Sequence, residues 1–348
     1  MLRCERSDVS TPTVLVTAAA FRADAPESEQ PFVRAGVRIL YPARMGPLSP
    51  AELTPLLPNV DGIIAAVDPY NDATLGHAAR LRVIARWGTG FDSVDVAACT
   101  RHGVMACNAP QLNVEAVADH TVMTMLALTR RLEYQLRVAR QGGWEEVRGG
   151  ELFRKRVGIV GFGAIGRAVA RRLRGFECRV LAYDPHVPPA AAAELGVELA
   201  DLDRVCAESD FLTVHAALTP ETRHLVDARR LALLPRGAFL INAARGGIVD
   251  EAALLPLLTA GSLGGAAIDA FETEPLPADH PFRGLQNCLV TTHSAFNTVE
   301  TAKAVNKMVA RQVLDALRSR IPPHLLNPDV VEQSWWRSRK ALIPDSEG

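Results

Sequence analysis

Three segments of the 348-residue chain carry side chains suited to binding an anion and moving a proton. Asn242-Ala243-Ala244-Arg245-Gly246-Gly247 places one arginine just after the apolar run Phe239 to Asn242. A guanidinium is a planar fork that grips a carboxylate at two points. Asp269-Ala270-Phe271-Glu272-Thr273-Glu274-Pro275 follows the run Ala266 to Asp269, and one of its acids can partner a histidine. Thr291-Thr292-His293-Ser294-Ala295-Phe296-Asn297 closes the run Cys288 to Thr292. His293 there can exchange a proton near neutral pH. Each also has a plain reading: a surface ion pair for Arg245, a solvated acidic loop, and a satisfied structural histidine.

A fourth segment has a more specific signature. The run Val157-Gly158-Ile159-Val160 leads into Gly161-Phe162-Gly163-Ala164-Ile165-Gly166, and a helical pattern with Ile165, Val169 and Leu173 on one face follows. Gly161 permits the tight turn, Gly163 lets backbone approach a pyrophosphate, and Gly166 lets helix and strand pack closely. The helix N-terminus, at Ala164 and Ile165, offers free N–H groups to phosphate. Asp184 stands eighteen residues after Gly166, at the end of Arg179 to Tyr183. It can accept from ribose hydroxyls and repels a 2′-phosphate, so NAD is expected rather than NADP.

The elements that hold these segments alternate. In the first third, candidate strands are Val14 to Val16, Arg38 to Leu40, Gly62 to Ala65, Val83 to Ala85 and Val104 to Cys107, with helical stretches such as Ala73 to Leu81 and Val94 to His102 between them. Such alternation predicts a parallel sheet covered by helices. Val114, Val117, Val122, Met125, Leu128, Leu132 and Leu136 then mark one long helix ending at Gly142-Gly143. Six further strands follow: Val157 to Val160, Arg179 to Tyr183, Phe211 to Val214, Phe239 to Asn242, Ala266 to Asp269 and Cys288 to Thr292. They predict a doubly wound sheet, whose ligands sit beyond the carboxyl ends of the strands. Val305, Val309, Val313 and Leu317 mark a last helix, ended by Pro322-Pro323. The polar tail from Glu332, apart from Trp335-Trp336, is expected to be mobile.

Composition excludes several classes. A net charge of −1 gives no electrostatic drive toward nucleic acid. No run of about 18 apolar residues suggests a membrane span, and Met1 to Thr13 lacks the apolar core of a signal peptide. The six cysteines form no C-x-x-C pair and the nine histidines are scattered, so no metal is assigned and reduced thiols in a cytoplasm are expected.

Taken together, the motifs closely resemble the D-isomer-specific 2-hydroxyacid dehydrogenase family. The resemblance runs from about Leu81 to Leu317. It rests on Arg86-Trp87-Gly88-Thr89-Gly90-Phe91-Asp92-Ser93-Val94-Asp95, Val117-Ala118-Asp119-His120, Gly142-Gly143-Trp144, the glycine turn, Leu218-Thr219-Pro220-Glu221-Thr222, Asn242 to Asp250, and the Asp269 and His293 segments. It implies an α/β fold of two doubly wound domains, with a Rossmann NAD-binding domain inserted in a flavodoxin-like substrate domain. The implied layout is a substrate-binding domain at 1–112 and 297–330, an NAD-binding domain at 113–296 with a dimerisation arm at about 113–145, and a tail at 331–348. The implied chemistry is NAD-dependent interconversion of a D-2-hydroxy acid and a 2-oxo acid, in a homodimer. Arg245 matches the substrate-binding arginine, His293 the acid/base, and Glu274 its partner acid, leaving Glu272 without a role. Asp269 matches a contact to the nicotinamide carboxamide. Ala216, Ala243, Ala244 and Ser294 fall along the cofactor with Arg245 and His293. The N–H groups of Gly88, Thr89 and Gly90 match the loop that holds the substrate carboxylate.

The substrate is less defined. In similar Arg-x-Gly-Thr-Gly segments of some phosphoglycerate dehydrogenases the arginine contacts a phosphate. Arg86 therefore either reads a second anionic group or packs beneath its loop. Trp87 and Tyr70 can line a side-chain pocket, although Tyr70 equally suits a turn. Trp144 sits where some relatives reach into a partner's active site, or is an ordinary loop tryptophan. The segment Thr291-Thr292-His293-Ser294-Ala295-Phe296 lacks the usual proline before the histidine and looks more like the His-x-Ala-Phe form of D-lactate dehydrogenases and corepressor-like relatives. The alternatives are a formate- or phosphite-type dehydrogenase and an NAD(H)-sensing corepressor of the same fold.

Overall fold

A computed structural model describes residues 11–333, 336 and 338–345. The chain divides into two compact units, Met1–Asn113 with Asn297–Gly348, and Val114–Phe296.

The first unit is built on five parallel strands: β1 (Thr13–Val16), β2 (Arg38–Leu40), β3 (Gly62–Ala65), β4 (Val83–Arg86) and β5 (Met105–Cys107). Their order is β2-β1-β3-β4-β5, the flavodoxin-like arrangement. β1, β3, β5 and most of β4 are buried, as expected for strands sandwiched by helices on both faces. The helix Val299–Leu317 covers β3 and β4 with Val305, Val309, Val313 and Leu317, each four residues apart and all buried. Its approach to the sheet needs Gly62, where a Cβ would stand 2.9 Å from Val313 Cγ1. Thr298 caps it by accepting from the Thr301 N–H at 3.2 Å.

The described tail residues are docked rather than mobile. Trp336 and Ile343 are buried, the Leu342 N–H donates to the Leu317 carbonyl at 2.8 Å, and Arg82 Nη1 donates to the Lys340 carbonyl at 2.9 Å. Apolar residues spaced along a polar stretch suffice to seat it. Trp335 lies outside the described residues.

The second unit has seven parallel strands: β6 (Arg156–Val160), β7 (Arg179–Tyr183), β8 (Glu198–Leu199), β9 (Phe211–Val214), β10 (Phe239–Asn242), β11 (Gly265–Ile268) and β12 (Cys288–Val290). The order β12-β11-β10-β9-β6-β7-β8 reverses direction between β6 and β9, so a crevice opens at their carboxyl ends. Successive residues alternate between two cores. Val160, Leu181, Leu212, Val214 and Leu240 face one side, while Val157, Ile159, Phe211 and Ile241 face the other with Met125 and Leu128.

Two sequence expectations are revised here. β8 adds a seventh strand, too short to show a pattern. The long helix is two helices, Val114–Thr129 and Leu132–Arg140, broken where Arg131 takes a left-handed φ of 52°. The apolar spacing of four continues through Leu128, Leu132 and Leu136, which hides the break. Of the cysteines, Cys99, Cys107, Cys206 and Cys288 are buried and Cys178 is half-buried, all as free thiols. Burial pushes the thiols of Cys99, Cys206 and Cys288 up to about 12. Among the described residues, no helix is long and apolar enough to cross a membrane.

Candidate active site

β6 runs into Gly161, whose φ is 91°. A Cβ there would lie 2.6 Å from the Ala216 nitrogen, and one on Gly166 would lie 2.3 Å from the Gly161 oxygen. Both positions exclude any side chain. Gly163 differs: nothing lies within 4 Å of where its Cβ would project. That open space borders the N-terminus of the helix Ala164–Leu173, which has no side-chain cap, whereas Asp201, Asp227 and Asp250 cap other helices of this unit. Free N–H groups beside an open space fit a phosphate group. Asp184 steadies the turn, with Oδ2 accepting from the Phe162 N–H at 2.8 Å and Oδ1 from the His186 N–H at 2.9 Å. A carboxylate offers about four lone-pair sites, so Asp184 keeps capacity for ribose hydroxyls.

The turn after β10 is shaped by Asn242, whose Nδ2 donates to the Arg245 carbonyl at 3.0 Å and whose Oδ1 accepts from the Ala244 N–H at 3.1 Å. Arg245 is half-buried, and its Nη1 donates to the Ala244 carbonyl at 2.9 Å. The backbone that follows touches the loop after β11: a Cβ on Gly246 would stand 1.9 Å from the Phe271 carbonyl carbon. Phe271 in turn donates its N–H to Glu274 Oε1 at 2.9 Å.

His293 sits after β12 with φ 50°, a left-handed conformation uncommon for histidine. Asp269 holds it there. The Asp269 carbonyl accepts from the His293 N–H at 2.8 Å. The buried Asp269 carboxylate accepts from Thr291 Oγ1 at 2.6 Å and from the Ser294 and Ala295 N–H groups at 2.9 Å. His293 Nδ1 lies 2.8 Å from Glu274 Oε2 and 3.0 Å from Oε1, with both side chains about one-third exposed. Burial works against ionisation of Glu274. The hydrogen bond and charge of His293, the Phe271 N–H and the Arg245 charge outweigh it, and hold the carboxyl below its usual range. Arg245, Glu274 and His293 therefore act on one another, and the opposite ring nitrogen of His293, Nε2, has no protein partner among the described residues.

Two features escaped the sequence reading. His215 follows β9, next to Ala216 and the Gly161 turn. Its Nε2 is 2.9 Å from Thr213 Oγ1, and its buried Nδ1 has no partner among the described residues. Burial pushes its pKa down to about 3, so the ring is neutral at ordinary pH. Its signal was a polar residue one step before Ala216. Glu272, read as idle, makes contacts with Glu251 and His224, described below.

Arg86, the last residue of β4, and the loop Trp87 to Gly90 belong to the first unit. The Gly88 carbonyl accepts from the Ala109 N–H at 2.9 Å and the Thr89 carbonyl from Asn108 Nδ2 at 2.7 Å. The N–H groups of Gly88, Thr89 and Gly90 donate to no protein acceptor among the described residues. Three such donors in one loop are chemically suited to an anion. Gly88 has φ 127°, and a Cβ on it would meet Arg86 Nη1 at 2.9 Å. The Arg86 guanidinium thus folds back against its own loop. Trp87 and Tyr70 are both buried. The Trp87 indole is in the core and donates to Asn306 Oδ1 at 2.6 Å, and Tyr70 is fully buried with its hydroxyl on Asp68 at 3.1 Å.

Residues 122–295 match the family model for the D-isomer specific 2-hydroxyacid dehydrogenase NAD-binding domain. The chain belongs to that family. Its cofactor is NAD, and the fold is the family's pairing of a Rossmann unit with a flavodoxin-like one. Among relatives, this dehydrogenase-family chain is 38% identical over 270 residues to D-3-phosphoglycerate dehydrogenase of Methanocaldococcus jannaschii, covering 76% of the chain and 51% of that protein. It is 36% identical over 271 residues to glyoxylate reductase of Korarchaeum cryptofilum, covering 76% of the chain and 82% of that protein. It therefore spans about half the length of the phosphoglycerate dehydrogenases it matches. Apo D-lactate dehydrogenase of Escherichia coli superposes with a TM-score of 0.80 at 28% identity, covering 91% of this chain and 100% of that one.

Proposed function

We propose that this family member interconverts a D-2-hydroxy acid and the corresponding 2-oxo acid. The observation that carries the reading is the His293 Nδ1 to Glu274 contact at 2.8 Å, with the Arg245 charge acting on the same carboxyl. NAD, when bound, supplies or accepts the hydride at the substrate carbon. Glu274, held ionised, accepts from Nδ1 and fixes the ring, so Nε2 carries the proton that moves to or from the substrate oxygen. Arg245 stabilises negative charge growing on that oxygen and orients the acid. The free N–H groups of Gly88, Thr89 and Gly90 bind the substrate carboxylate. Asp269, Ala243, Ala244, Ala216 and Ser294 border the cofactor. The first unit serves as the substrate-binding domain.

The folded-back Arg86 favours a small 2-oxo acid over one with a second anion. NADH oxidation against glyoxylate, pyruvate, oxaloacetate, phosphonopyruvate and 3-phosphohydroxypyruvate tests this. Turnover of glyoxylate or pyruvate supports it. Turnover of the phosphorylated or phosphono acid alone restores Arg86 as an anion reader, and tight NADH binding without turnover points to a sensor. In His293→Ala, turnover should vanish while NADH still quenches tryptophan fluorescence; retained turnover would overturn the proton-transfer role.

The same reading makes the protein a homodimer through the arm at 113–145. Met123, Leu132 and Leu136 are exposed there, and Trp144 is 98% exposed. Sedimentation should show a dimer that Leu132→Arg with Leu136→Arg converts to monomer.

A further inference from the structure

Glu272 has a reciprocal partner 21 residues earlier. Its N–H donates to Glu251 Oε1 at 2.8 Å, and the Glu251 N–H donates back to Glu272 Oε1 at 3.3 Å. This is the geometry of a capping box, made between two distant segments. The same Glu272 oxygen lies 3.2 Å from His224 Nε2. His224 sits in a left-handed conformation with φ 48°, and its N–H donates to the Gly247 carbonyl at 2.8 Å.

These contacts converge on the catalytic segments. Gly247 is two residues after Arg245. Glu272 is two residues before Glu274, and the Phe271–Glu272 peptide is the one on which Gly246 rests, with a Cβ there 2.2 Å from the Glu272 nitrogen. The Phe271 N–H orients Glu274. Three Glu–His pairs stand along this edge: Glu272 with His224 at 3.2 Å, Glu251 with His280 at 3.8 Å, and Glu274 with His293 at 2.8 Å. Only the last touches the reacting atoms in the mechanism above.

The geometry points to Glu272, Glu251 and His224 as a positioning clamp. It pins the Arg245 turn to the Glu274 segment and thereby sets the angle at which Glu274 meets His293. Glu272 is a positioning residue, because it acts through Glu274. The rate part of this inference rests on the proposed dehydrogenase reading; the geometric part does not. A misplacement of about 1 Å at a reacting group costs up to roughly 100-fold in rate, so loosening the clamp should be visible in kcat.

Two readouts test it. The first is the imidazole N–H resonance of His293 hydrogen-bonded to Glu274, assigned by its loss in His293→Gln and measurable whatever the substrate. Glu272→Ala should shift or broaden it, while Glu272→Gln, which keeps an oxygen for the Glu251 N–H, should leave it near its original position. The second is kinetic. With whichever 2-oxo acid turns over, Glu272→Ala should lower kcat roughly 10- to 100-fold with little change in the KM for NADH. Glu272→Gln should restore most of the rate. Glu251→Ala combined with Glu272→Ala should lose no more than either alone, as for two halves of one clamp. Should Glu272→Ala fail to fold, His224→Ala replaces it, with a smaller shift and a smaller rate loss expected. An unchanged His293 resonance in folded Glu272→Ala or His224→Ala would overturn the clamp. So would additive losses in the double variant. Absence of any turnover in the unaltered protein, with the resonance shift still present, would instead sink the dehydrogenase reading and leave the clamp standing.

Discussion

His293 is held in an unfavourable backbone region by a carboxylate it does not pair with. Asp269 accepts three donors from the loop that carries the ring. Replacing it by alanine strands those donors, at about 1–3 kcal/mol each where they stay buried. Asp269→Ala should therefore lower both the melting temperature and kcat; retention of both would mean that the loop holds itself. His215 makes a pH prediction. The unfolded ring takes a proton near its ordinary pKa of 6.5, while the folded ring resists until about 3. Its contribution to stability is complete above the higher value and falls away as the pH drops toward the lower, at up to about 1.4 kcal/mol per pH unit. Glu274, whose carboxyl is depressed, acts in the same direction at lower pH. Urea unfolding at pH 7.5 and 5.5 should show the loss, and His215→Gln should flatten it. At this scale the motifs pointed to Arg245, Glu274 and His293 because each lies in a segment that follows a strand, and the structure brings His293 and the Arg245 charge onto the Glu274 carboxyl. Glu272 was not, since its partners lie 21 and 48 residues away. The burial of Trp87 and Tyr70 was not legible, because an aromatic beside a loop looks the same in sequence whether it faces the core or a pocket.

The elements were read well where burial dictates their composition. β2, β3, β7, β9 and β10 match their expected bounds, since short β-branched or apolar runs between turn and helix signals mark strands. The two-residue β8 carries an exposed glutamate and no such run. The Arg131 break lies between apolar residues whose spacing runs on regardless. Backbone-to-backbone contact is also invisible in a motif, although its consequence is sharp. Gly246→Ala would drive a Cβ into the Phe271 carbonyl carbon, an atom that cannot turn aside as a side-chain tip does. The Arg245 turn and the Glu274 loop must then separate. That variant should lose most of its kcat. A normal kcat would show that the two loops tolerate separation.

The docked tail and the discontinuous first unit belong to the molecule as a whole. Ending the chain at Gln333 removes Trp336 and Ile343 from the core of the first unit and frees the Leu317 carbonyl. The shortened protein should melt earlier, with resonances of the first unit broadening before those of Val114–Phe296. The same discontinuity imposes an order on biosynthesis. When the ribosome has released residue 296, every strand of the second sheet is already available to pair, as are all five strands of the first. The helix Val299–Leu317, which buries β3 and β4, does not yet exist. The earlier-made unit is thus completed last, and its apolar sheet face waits through the synthesis of about 180 residues. A chain truncated after residue 296 should accordingly resist protease over 114–296, be cut within 11–113, and bind a chaperone that the finished protein ignores.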